Sequence, residues 1–169
     1  MANPLPHEKE LYDKIKQDGI TIDPFIWDTM YHYLGDYISV INAIATFYIE
    51  KGDPIALDDA RKILSYTLKI KEVVDKIVQP ETMGNEGDRF EKIKNDRMTL
   101  HPIIIEFFMH YIGNDTHIIN FCVSYYLDPL DEQPVPLEDA RKVLNHTISM
   151  RQFLDKLREA TNCNQGLAK

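Results

Sequence analysis

Apolar residues recur along this chain in steps of three and four, the period of an α-helix that buries one face. The clearest run spans residues 56–78, where Ala60, Ile63, Thr67, Ile70, Val74 and Ile77 form one seam, widened by Leu57, Leu64 and Leu68. A seam of that breadth suits a helical bundle better than a free coiled coil. Residues 136–159 repeat it as Ala140, Val143, Thr147, Met150, Leu154 and Leu157. Near the start, residues 7–18 put Leu11, Tyr12 and Ile15 on one face and run into Gly19, suited to the left-handed turn that closes a helix. Residues 20–22 read as a short extended piece. Asp23-Pro24 then opens a second helix: the aspartate caps it, and the proline takes the first helical position, where its missing N–H costs nothing. That helix is expected to end at Gly35, with Asp36 (Asn114 further on) capping a third. The third helix carries Ile38, Val40, Ile41, Ala43, Ile44, Phe47 and Ile49. It is apolar nearly all round and is expected to be covered on every side.

The pattern occurs twice. Residues 11–51 align with residues 89–129 at an offset of 78, with 13 of 41 positions identical. After a two-residue insertion near Asp131 the offset becomes 80, and residues 54–77 match residues 134–157 at 10 of 24 positions. Shared heptads alone do not produce His-Tyr-x-Gly and Asp-Ala-Arg-Lys in the same order. We therefore read a tandem duplication. A unit of this size is marginal by itself because it buries a modest fraction of its surface. The fold expected is all-α: two four-helix units packed as a pseudo-two-fold helical bundle. The boundaries are 5–79 for the first repeat, 80–87 for a linker, 88–159 for the second repeat and 160–169 for a frayed tail.

Composition narrows the class. Hydrophobic residues make up 44% of the chain and charged residues 27%, as in a folded soluble domain. The net charge of −8, from 27 acids against 19 bases, argues against nucleic acid as a partner. The longest apolar run, residues 40–49, is interrupted by Asn42 and Thr46 and falls short of the roughly 20 residues of a membrane span. Residues 1–10 have no apolar core of a signal peptide. The only cysteines, Cys122 and Cys163, lie in an apolar run and a polar tail, so a reducing, cytoplasmic setting is expected.

Candidate chemistry comes from positions kept in both halves. Asp28 precedes His32 by four residues, and Glu106 precedes His110 by four, so each helix offers a carboxylate and an imidazole one turn apart. If the two faces met, Asp28, His32, Glu106 and His110 would form a zinc-type ligand set; a solvent-facing pair is the ordinary reading. Asn42/Asn120 and Tyr48/Tyr126 fall within the apolar third helix, where they either orient a ligand or fix packing register. Tyr33/Tyr111 suit a core position with the hydroxyl reaching a partner. In the shared Asp-Ala-Arg-Lys block, the acids complement the helix dipole, and Asp58–Lys62 and Glu138–Lys142 are spaced for ion pairs. Arg61/Arg141 are left for an inter-helix salt bridge or a binding contact. No phosphate-cradling glycine loop, Cys-x-x-Cys pair or Gly-x-Ser-x-Gly elbow occurs. Cys122 matches Ile44 and reads as a small core residue. No cofactor is implied. The function expected is a non-catalytic interaction or regulatory module acting on another protein, with oligomeric state open. The alternatives are a small-molecule or metal site at the junction of the repeats, and an enzyme of unfamiliar type.

Overall fold

The computed structural model describes residues 6–79 and 88–162; the linker at 80–87 and the terminal residues 163–169, with Cys163, lie outside the described residues. Helix α1 spans Pro6–Gln17 and closes where expected. Gly19 turns left-handed at φ 64°, and the Ile20 N–H returns to the Ile15 carbonyl at 3.1 Å. The second half makes the same closure after α4 (Asp88–Asn95) with Arg97 at φ 51°. A side chain in that region costs roughly 1–2 kcal/mol that glycine avoids.

Helix α2 (Pro24–Lys51) starts on Asp23, whose carboxylate accepts the Phe25 N–H at 2.8 Å. Its counterpart α5 (Pro102–Phe107) starts on His101, whose Nδ1 accepts the Ile103 N–H at 3.2 Å. From α5 the chain continues through a π-helical turn, Phe108–Gly113, into α6 (Asn114–Tyr126). That turn begins where Phe107 and Phe108 stand in place of Thr29 and Met30. Helices α3 (Leu57–Val78) and α7 (Leu137–Asn162) complete the two halves.

Several expectations need correction. Gly35 lies inside α2 and Gly113 inside the π turn, so the expected second and third helices of each unit are one span, and each half has three helical spans rather than four. A mid-helix glycine costs about 1 kcal/mol relative to alanine. Breaking α2 there would interrupt a buried face that runs through Met30, Leu34, Ile38 and Ile41. Asp36 and Asn114 are therefore not N-caps of a third helix; α2 ends instead at Gly52, with φ 76°. Helix α7 continues to Asn162 with Ala160 and Thr161 buried, so the tail begins later than residue 160. The apolar helix is not covered on every side, since Ala43, Phe47, Phe121 and Tyr125 face outward. Leu68 is likewise exposed, whereas both seams, from Ala60 to Ile77 and from Ala140 to Leu157, are buried throughout.

Helix α2 packs along both α3 and α7, and α6 packs along the same two helices from the other half of the chain. Just ahead of α3 and α7, Ile55 and Val135 form an isolated antiparallel bridge with N–H···O distances of 2.8 and 3.0 Å. Both residues are fully buried. The first helices are exchanged between halves. Helix α1 lies on α7, with Tyr12 stacked on Phe107 at 5.3 Å and Glu8 paired to Lys156 at 3.2 Å. From α4, Phe90 stacks on Tyr33 at 5.4 Å and Arg89 reaches Asp28 at 2.6 Å. Among the described residues, no helix is long and apolar enough to cross a membrane.

Candidate functional site

Asn42 and Asn120 sit where the halves meet. The Asn42 side-chain amide donates to the Thr147 hydroxyl at 2.9 Å, and that of Asn120 to the Thr67 hydroxyl at 2.9 Å. Each threonine passes its own proton to a carbonyl on its helix, Leu64 for Thr67 and Leu144 for Thr147, both at 2.7 Å. These half-buried bonds tie α2 to α7 and α6 to α3. Because an unpaired amide in that setting is costly, they favour one register between the helices.

Tyr48 and Tyr126 hold the other end. The Tyr48 hydroxyl donates to Asp59 at 2.7 Å, and the Tyr126 hydroxyl donates to Asp139. Lys62 reaches Asp59 at 2.8 Å and Lys142 reaches Asp139 at 2.7 Å. Lys62 thus pairs three residues back rather than with Asp58, which Arg61 takes at 2.9 Å. Hydrogen bonds from the lysines, then from the tyrosines, hold both aspartates below the ordinary value of 3.8. The bond to Asp139 pushes Tyr126 up to about 12. A carboxyl depressed by folding contributes stability above its unfolded pKa and loses it as pH falls through the folded value. Stability should therefore drop below about pH 3.8, and Asp59→Asn with Asp139→Asn should flatten that acid limb. Urea midpoints at pH 5 and pH 3, compared between the native chain and the double variant, provide the check.

Both histidines are exposed, but neither pairs with the carboxylate one turn before it among the described residues. The His32 ring lies 3.8 Å from Asp36, not against Asp28, whose carboxylate Arg89 takes. Glu106 and His110 are both exposed, and His110 packs edge-to-face on Tyr111. Among the described residues, no group of three or more His, Cys, Asp or Glu side chains could hold a metal ion. Tyr33 and Tyr111 are half-buried in aromatic clusters, Tyr33 on Phe90 and Tyr111 on Phe107 and Phe153. Arg61 bridges Asp58 and Glu132, the latter at 2.7 Å, whereas Arg141 is exposed with no ion pair among the described residues. Burial pushes the Cys122 thiol up, which disfavours the thiolate that a nucleophile needs.

Two grooves open at the junction, in matching places. One, about 350 Å³, lies between α3 and the α5–α6 span and includes Lys71, Asp75, Met109, Gly113 and His117. The other, about 330 Å³, lies between α2 and α7 and includes Tyr31, His32, Gly35, Arg151 and Asp155. Each has a helical glycine in its wall that the backbone does not require. Neither Gly35 nor Gly113 has positive φ, and a Cβ on Gly35 would meet only Tyr31 Cδ1, at 4.0 Å. Gly35→Ala should therefore stabilise the fold by about 0.5–1 kcal/mol through helix propensity alone. A urea titration that finds the variant weaker would mean the groove depends on that glycine.

The periodicity misled at α6, where an all-round apolar pattern reads as burial. Ile118, Phe121 and Tyr125 lie three and four residues apart on one line of that helix, and all are exposed. The one available signal was the mismatch between halves, Phe121 standing where the first has Ala43. Comparison with models of protein families, with curated proteins and with solved structures found no match to this chain.

Proposed function

We propose that this chain is a tandem duplication folded as a pseudo-two-fold bundle, and that it acts as a non-catalytic interaction module whose working surface is the outer face of α6. Support for the duplication comes from bonds that recur at matched positions. Asn42–Thr147 mirrors Asn120–Thr67, and Tyr48–Asp59 mirrors Tyr126–Asp139. The bridge joins Ile55 to Val135, its own counterpart, as a residue pair beside a two-fold axis would. The observation that carries the function is the exposed line Ile118, Phe121, Tyr125. Contiguous apolar surface costs solubility and is characteristic of protein contact sites. With a net charge of −8, the partner is a protein rather than nucleic acid. A reducing, cytoplasmic setting belongs to the same proposal and fits the free thiol of Cys122.

A photo-cross-linking residue in place of Phe121 tests this in the native cells. A discrete adduct should form there and not at the exposed control position Glu50. Equal labelling at both positions, or none at Phe121, would sink the proposal. The paired junction grooves favour a second reading, a small-molecule site between the halves. A ligand that raises the melting temperature of the native chain but not of Gly113→Leu would promote it.

A further inference from the structure

The outer face of α6 is marked by a missing cation. In the first half, Phe47 is exposed, and Lys51, one turn later, lies over its ring at 5.8 Å while pairing with Asp53 at 3.1 Å. Tyr125 is the counterpart of Phe47, but Pro129 occupies the place of Lys51. Acids are still present. Phe121, Tyr125, Asp128 and Asp131 share one hollow of about 290 Å³, and among the described residues no basic side chain lines it. One oxygen of Asp128 accepts the Leu130 N–H at 2.9 Å and one of Asp131 accepts from Gln133 at 2.7 Å. Neither carboxylate has a cation among the described residues. The other nearby acids are already matched, Glu132 by Arg61 and Asp139 by Lys142. The 43 residues from Met98 to Ala140 contain seven acids and no lysine or arginine.

On the interaction-module reading, we propose that this face docks a basic amphipathic segment of a partner protein. A lysine or arginine of that segment enters the hollow between Tyr125 and the two aspartates, doing in trans what Lys51 does in cis beside Phe47. The stem of such a side chain covers aromatic surface while its charged head meets carboxylates and the ring face. Apolar residues three or four positions away in the segment then cover Phe121 and Ile118, the spacing at which a helix presents one face. Phe121 and Tyr125 are 69% and 72% exposed, and Leu130, between the two acids in sequence, is 95% exposed. These areas are available to a partner without rearrangement of the bundle.

Selection of displayed random 15-residue peptides on the full chain tests the pairing. Enriched peptides should carry Lys or Arg three or four residues from Leu, Phe or Trp. Their affinity should fall at least tenfold for Tyr125→Ser and for Asp128→Asn with Asp131→Asn. Pro129→Lys, which restores the cation within the chain, should weaken binding to a similar extent. Circular-dichroism melts should find all these variants folded. Enriched peptides that need Phe121 and Tyr125 but show no basic bias would overturn this inference and leave the interaction module standing. No enrichment, or enrichment indifferent to both aromatics, would count against both. Self-association in analytical ultracentrifugation that Phe121→Ser abolishes would make a second copy the occupant and overturn the basic-segment proposal.

Discussion

Residues 1–79 produced alone should give no cooperative thermal transition as a monomer, and adding residues 80–169 should restore one. Size alone makes a unit this small marginal, and the exchange of first helices removes what margin is left. In the separated half, α1 loses α7, on which it packs, and Tyr12 loses the Phe107 ring. Asn42 loses Thr147, Ile55 loses both bonds to Val135, and Tyr33 loses Phe90. Tyr12 and Ile55 are buried and Asn42 and Tyr33 half-buried, so the isolated half exposes apolar surface and leaves polar groups unpaired at the same time. Circular dichroism against temperature, with mass measured by ultracentrifugation, reads the outcome. A folded monomer of residues 1–79 would contradict the exchange. A homodimer of that fragment would agree with it, since a second copy can supply the surfaces that the other half normally provides.

Phe107→Ala should cost about 3–5 kcal/mol, the usual loss for a buried phenylalanine. Phe107 is 2% exposed and sits among Tyr12, Tyr111 and Phe153 at centroid distances of 5.3, 5.6 and 6.1 Å. Those rings come from α1, the π turn and α7, so truncation leaves a cavity that none of the three elements can close without moving the others. The matching residue in the first half is Thr29, fully buried but small, with its hydroxyl donating to the Phe25 carbonyl at 2.8 Å. Phe121→Ala is the control, and as a surface change it should fall within about 0.5 kcal/mol of the native chain. Equal losses at Phe107 and Phe121 in urea titrations would mean that core and surface are misassigned.

By itself, the sequence determined the helical seams, the helix start at Asp23-Pro24 and the closure at Gly19. These depend on residues within a turn of one another, and the physics that sets them is local. The matched pairs Asn42/Asn120 and Tyr48/Tyr126 were likewise legible as polar positions in apolar helices. Their partners were not, because Thr147 lies 105 residues from Asn42 and only packing brings them together. Tertiary structure also decided that α2 runs through Gly35, since burial along both flanks outweighs a propensity cost of about 1 kcal/mol. It decided which half receives α1, because an amphipathic pattern specifies a face but not the surface that covers it. It left Phe121 and Tyr125 in solvent for the same reason. Apolar character along a helix records what each side chain prefers, while neighbours from distant parts of the chain determine how much of that surface is covered within one molecule.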